Sequence, residues 1–130
     1  MNDDRGSITA FVAVIATALV LVAGLAYDGG QVLATHAEVR SQAAKASRAG
    51  AQAIDLDQLH ATGIATLDPS AAEAAAHAYL AQVGAHGTVV VDGDTVTVTV
   101  TAVQPMSIIP TPDRTITGVA TATAMEEATP

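Results

Sequence analysis

The pattern of apolar and polar positions divides the chain into four segments. Residues 8–27 are an apolar run that carries no formal charge and contains only two hydroxyl residues before Tyr27, Thr9 and Thr17. Residues 31–54 are polar, but small apolar residues recur every three or four positions, which predicts a helix. Residues 71–83 are alanine-rich, and from residue 88 valine alternates with threonine at period two, which predicts strands. The pattern predicts an α+β chain: a long N-terminal helix, a second short helix and a three-stranded antiparallel sheet.

The apolar run has the length of a membrane span. At 1.5 Å per residue, residues 8–27 extend about 30 Å, the thickness of a bilayer's hydrocarbon core. Tyr27 follows at the end, where an amphipathic ring prefers the interface. We therefore predict a transmembrane helix over 8–27. The alternative is a signal peptide cleaved after Ala26, with Gly24 as the second small residue of the cleavage site.

The distribution of basic residues indicates the orientation of this span. Arg5 precedes the apolar run, and no Lys or Arg follows it until Arg40. Because cytoplasmic flanks carry the excess of Lys and Arg, we expect residues 1–7 to be a cytoplasmic stub. Residues 28–130 then lie outside the cytoplasm.

The stretch that follows the span raises the question of a break. Two adjacent glycines, Gly29 and Gly30, each cost about 1 kcal/mol relative to alanine inside a helix. However, no proline occurs between residues 7 and 54, and helical periodicity resumes at Val32. We expect one helix to continue through a helical extension over 28–56. Asp28 then marks the membrane exit, and the two glycines form a bare packing notch.

Small residues form a stripe along the helical extension. Such a stripe permits close approach of a second helix, and hence self-association of the protein. The predicted seam consists of Val32, Val39, Ala43, Ala46 and Gly50, with His36 and Ala53 at the same spacing.

Residues 57–125 are expected to form a small α+β head outside the membrane. Its helix begins either at a capping box that starts at Ser70 or at Asp68 as N-cap, with Pro69 in the first turn. We expect it to bury a face of small residues. These are Ala71, Ala74, Ala75, Ala78 and Val83.

The last part of the head has the pattern of a β-meander. Asp92-Gly93 between β-branched runs predicts a hairpin. Val96, Val98 and Val100 point to one face, which the helices should cover, whereas the threonines between them face water. Residues 114–124 supply the third strand, and residues 126–130 are expected to be a frayed tail.

The loop between the second and third predicted strands is unusually apolar. Met106, Ile108 and Ile109 stand between prolines in a segment of about ten residues. Two interpretations are open. The loop packs into the small core, or it contacts a partner subunit or a membrane surface.

Composition and charge exclude several functions. The net charge is −8, and the five basic residues form no patch beyond Arg40, Lys45 and Arg48 on one helix, which argues against nucleic-acid binding. The chain has no cysteine, so disulfides and thiolate metal sites are excluded. Glu73 and His77 have helical i, i+4 spacing but no third ligand in register. Without a nucleophile–base pattern, we expect no catalytic residue, no metal, no cofactor and no small-molecule substrate.

Residues 4–56 resemble a known family. Arg5-Gly6-Ser7 precedes the apolar run, residues 24–30 ("GLAYDGG") end it, and "AEVRSQAAKASRAGAQAID" follows. In this order the segments are similar to the TadE/TadG-like family of Tad (Flp) pilus assembly proteins, of the actinobacterial minor-pilin-like type. The resemblance implies a membrane-anchored minor-pilin-like or pseudopilin-like protein. Its partners would be membrane lipid and pilins or other Tad-system proteins, and the protein would either join a surface pilus or remain in the membrane.

The family also implies a processing site. Gly6 would precede the cut and Ser7 would begin the mature chain. The fifth mature position is then Phe11, where TadE-type members have Glu, which favours the TadG-like members whose helix stays as an anchor. Two functions of other classes remain open: a secreted soluble binding module, and a single-span regulator whose head binds a ligand.

Overall fold

The first helix passes through the two adjacent glycines without a break. The computed structural model describes the backbone of residues 3–124 and the side chains of residues 6–124. Helix α1 spans Asp3–Ala51, so the prediction that the helix continues through Gly29 and Gly30 is confirmed. The other elements are α2 (Leu56–Thr62), α3 (Pro69–Gln82), β1 (His86–Asp92), β2 (Thr95–Gln104) and β3 (Arg114–Thr123). The predicted frayed tail over 126–130 lies outside the described residues.

The three strands form one antiparallel sheet in the order β1-β2-β3, which confirms the predicted α+β class. A two-residue turn joins β1 to β2. Gly93 adopts φ +60 there, a conformation that glycine reaches without strain. In the register, Val91 pairs with Val96 and Val98 pairs with Ala120. Apolar residues therefore lie opposite apolar residues, and the sheet has one apolar face and one threonine-rich face.

The apolar face of the sheet packs on the second half of α1. Val96, Val98 and Val100 of β2 are almost fully buried, as is Ile116 of β3. The contact is close at Gly118, where an added Cβ would lie 2.7 Å from the Val39 carbonyl carbon of α1. Only a glycine lets the strand backbone approach the helix backbone this closely.

Helix α1 ends earlier than the predicted boundary of the helical extension at residue 56. After Ala51 the backbone turns and forms a β-bridge between Ile54 and Leu67. The Asp68 N–H also donates to the Ala53 carbonyl at 3.0 Å. These bonds replace helical ones and bring α3 back against α1.

Helix α2 lies in a segment that the apolar pattern presents only as a connector. Its N-cap Asp55 accepts hydrogen bonds from the N–H groups of Asp57 and Gln58, and Gly63 ends it with φ 71. None of its residues is buried. Because apolar periodicity reports burial, this helix leaves no such signal, and only its caps mark it.

Helix α3 uses the second of the two predicted caps. Asp68 accepts from the N–H groups of Ser70 and Ala71, and Pro69 occupies the first turn. The predicted small-residue face is wrong: α3 buries Ala72, Ala76 and Leu80 instead. The helix is alanine on nearly every side, so its sequence does not distinguish the buried face from its neighbours.

Candidate functional site

The loop over residues 105–113, between β2 and β3, docks on α1 at Asp28. The Asp28 carboxylate accepts three backbone N–H bonds: Oδ1 from Ser107 at 3.3 Å, and Oδ2 from Ile108 at 3.0 Å and Ile109 at 2.8 Å. One side chain of the long helix thus fixes the backbone of a segment about eighty residues further along the chain.

The docking changes the electrostatics of Asp28. The side chain is only 2% exposed. The Ile109 N–H, with smaller contributions from those of Ile108 and Ser107, lowers the pKa of Asp28 against the opposing effect of burial. Asp28 is therefore held as a carboxylate, and its charge is directed at the loop.

A glycine one helical turn before Asp28 receives the tip of the loop. A Cβ added at Gly24 would lie 2.6 Å from Cγ2 of Ile108. Residues four apart share a face of a helix, so Gly24 and Asp28 form one docking face. At the last residue of β2, directly before the loop, the Thr35 hydroxyl donates to Oε1 of Gln104 at 2.5 Å. The loop is therefore attached to α1 over about three helical turns.

An apolar groove with a volume of about 490 Å³ runs beside this junction between α1 and the loop. Residues of α1, of the loop and of the start of β3 line it, and one of them is basic. The lining includes Leu25, Val32, Leu33, Met106, Ile109 and Arg114.

The sequence leaves both interpretations of this apolar loop open, and in the structure the loop packs partly on the chain's own helix. Met106 and Ile109 are half-buried. Ile108 remains 52% exposed, despite its contact with Gly24. The loop thus lies on the helix and still presents an apolar tip to its surroundings.

The two glycines of the predicted packing notch have different surroundings. Gly29 is half-buried and lines the groove, whereas Gly30 is exposed. A Cβ at either glycine would meet no atom within 4 Å. Of Asp28, Gly29 and Gly30, only Asp28 bonds the loop backbone. The sequence pattern does not show that Gly24 shares the docking face with it.

The predicted seam is covered by the chain's own head. Val39, Ala43, Ala46 and Gly50 are buried, and Val32 packs partly against the same core. A Cβ added at Gly50 would lie 2.9 Å from the carbonyl oxygen of Ala72 in α3. His36, at the same helical spacing, is exposed.

Other predicted positions lie away from the junction. Gly6 and Ser7 are exposed near the start of α1. His77 and Glu73 approach to 3.9 Å on the exposed face of α3. Among residues 6–124, no group of three or more His, Asp or Glu side chains is placed to hold a metal ion.

The first part of α1 differs from the rest in its surroundings. Gly6–Ala51 contains a window with mean hydropathy 2.6, of which the protein buries 6%. By length and composition α1 is a candidate membrane span. The docking face of Gly24 and Asp28 lies at the C-terminal end of the apolar run.

The comparisons with known proteins concern this same helix. Residues 6–53 match the family model described as "Putative Flp pilus-assembly TadE/G-like". No curated protein and no solved structure matches the chain. The matched segment contains Gly24 and Asp28 but ends before α2. The long helix, with its docking face, is therefore similar to the TadE/G-like family of Tad pilus-assembly proteins.

Proposed function

We propose that the protein is a membrane-anchored, minor-pilin-like or pseudopilin-like component of a Tad-type pilus assembly system. The match of residues 6–53 to the TadE/G-like family carries this proposal. It indicates a structural rather than a catalytic role. The apolar first half of α1 holds the protein in the cell membrane, with the N-terminus in the cytoplasm and the head outside. The head then contacts pilins or other components of the assembly system.

The contact between loop and helix favours a retained anchor over a secreted module. Cleavage after Ala26 would separate Gly24 from Asp28 and divide the face on which the loop docks. Cleavage after Gly6 would leave both residues in the mature chain. The docking face is thus compatible with an intact anchor and with pilin-like maturation.

Burial of the seam directs partner contacts to other surfaces. Self-association through Val39, Ala43 and Gly50 would require the sheet and α3 to leave α1. We therefore assign assembly contacts to surfaces that the head leaves exposed, which include the threonine-rich face of the sheet.

Deletion of the gene in the native host tests the assembly role. We expect the deletion strain to lose surface pili and the wild-type gene to restore them. In the wild-type strain we expect the protein in the membrane fraction. Its intact mass would show either the full chain or a start at Ser7. Normal pili in the deletion strain would contradict the role in assembly. A start at Tyr27, with the protein in the medium, would contradict the anchor.

A further inference from the structure

The docked loop lies at a defined level along α1. Ile108 packs against Gly24, whereas the apolar run ends at Tyr27. Three residues of helix correspond to about 4.5 Å along the axis. The loop tip is therefore beside the last turn of the apolar run and not beyond it.

From this level we infer that the loop over residues 105–113 is a second membrane contact, with Ile108 inserted into the lipid interface beside the span. The inference rests on residues 8–27 crossing the membrane, which is part of the proposed function. It adds that the head lies directly on the bilayer and does not project from it on a free stalk.

The backbone of the loop suits a membrane interface. Irregular backbone is tolerated near lipid only where its polar groups are bonded within the protein. The N–H groups of residues 107–109 donate to Asp28, and that of Thr111 donates to the Ile109 carbonyl at 2.7 Å. Pro105, Pro110 and Pro112 have no N–H to satisfy.

The side chains around the loop also match a phospholipid surface. Leu25, in the last turn of the apolar run, is 60% exposed, and Ile108, which packs beside that turn at Gly24, is 52% exposed. Arg114, which lines the groove, is the sole Lys or Arg after Arg48. Its backbone pairs with Gln104, whose side chain bonds Thr35 beyond the end of the apolar run. The cation therefore lies on the headgroup side of the span, where it is placed to meet lipid phosphates. Continuity with the span selects lipid as the occupant, rather than a protein.

A depth measurement on the full chain in phospholipid vesicles tests this inference. The chain has no cysteine, so a single introduced cysteine carries a nitroxide at a chosen site. Oxygen concentrates in the bilayer and a polar nickel chelate stays in water, so the ratio of collision rates with the two reports depth. Ile108→Cys is the test variant, and Ser107→Cys gives a second measurement if the label at Ile108 disturbs its contact with Gly24.

Two other labelled sites supply the controls. Ile15→Cys, in the middle of the apolar run, reports whether the span is in the bilayer. Val90→Cys is the matched apolar control on the sheet, since Val90 is 60% exposed. We expect the oxygen-to-nickel ratio at Ile108 to be several-fold above that at Val90, and to approach the ratio at Ile15. Ser107 should give an intermediate value.

The outcomes separate the inference from the proposed anchor. A deep label at Ile15, with labels at Ile108 and Ser107 as open to the nickel chelate as Val90, would overturn the lipid contact and leave the anchor standing. Protein partners would then be the better candidates for the loop. A label at Ile15 that is open to the chelate would overturn both the anchor and the lipid contact.

Discussion

Replacement of Gly118 by alanine should push the sheet slightly away from α1 and destabilise the head. The new Cβ would lie 2.7 Å from the Arg40 nitrogen and the Val39 carbonyl carbon, and 2.9 Å from Val39 Cγ2. Favourable carbon–carbon contacts require about 3.5–4.0 Å, so the strand must withdraw by about 1 Å. Two of the three atoms belong to the helix backbone and cannot move aside by a change of rotamer.

The expected loss of stability follows from this geometry. Overpacking costs about 1–3 kcal/mol. Reduced freedom of the unfolded chain offsets about 0.4–1 kcal/mol of that. A net loss of about 1–2 kcal/mol corresponds to a decrease of roughly 5–30-fold in the folded-to-unfolded ratio.

Amide hydrogen exchange on the full chain in bilayers measures this ratio, because buried strand amides exchange through large openings. We expect the amides of Val98 and Val100 to lose protection in the Gly118→Ala variant. The matched control is Gly30→Ala, where a Cβ would meet no atom within 4 Å. That substitution should stabilise the helix by about 0.5–1 kcal/mol and leave the sheet unchanged. Unchanged protection in Gly118→Ala, or an equal loss in Gly30→Ala, would refute the close packing of β3 on α1.

Three other predictions concern the same unit. Gly24→Val should displace Ile108 and speed exchange of its amide without affecting β2; equal exchange in the variant and the wild type would contradict the docking face. In chemical denaturation, Val98→Ala, at a fully buried position, should destabilise the head by about 1–3 kcal/mol from lost apolar burial and cavity formation. Val119→Ala, at a 56% exposed position, should change the stability by less than about 0.5 kcal/mol, and equal losses in the two variants would contradict the buried valine face. Because docking lowers the pKa of Asp28, the free energy of loop docking should be constant above the ordinary carboxyl pKa range and should weaken as the pH falls through the lowered pKa. The NMR chemical shift of the Ile109 amide reports this change, and a shift that stays flat at acid pH would contradict the prediction.

The period of the sequence is sufficient to predict the long helix and the three-stranded sheet, although not the short helix α2. The apolar run and the recurrence of small residues indicated one helix through Gly29 and Gly30, since nothing else there breaks a helix. Strict alternation from Val96 onward placed the valines inside and the threonines outside. In both cases the signal repeats over many residues and depends on local geometry, so single exceptions do not obscure it.

The candidate site was only partly predictable, because its contacts join distant parts of the chain. The sequence marks Asp28 as the charge at the end of the apolar run, and Ile108 and Ile109 as apolar residues in an unusual loop. No local pattern connects residues separated by about eighty positions. Gly24 is the one local indication of the contact, because it lies one turn before Asp28 and leaves the same helix face without a side chain.

The small-residue seam illustrates a different limit. A stripe with Val39, Ala43 and Gly50 predicts that something packs closely, but it does not say what. In the structure the partner is the sheet and α3 of the same chain. The same ambiguity applies to α3, where alanine on nearly every side hides the buried face.

The most direct test of the account is the exchange rate of the Ser107, Ile108 and Ile109 amides in the full chain in bilayers, compared between wild type and Asp28→Asn. The account predicts slow exchange in the wild type. In the variant it predicts much faster exchange at these three amides, with unchanged protection of β2. Exchange in the wild type as fast as in an unstructured peptide would show that Asp28 does not hold the loop on the long helix.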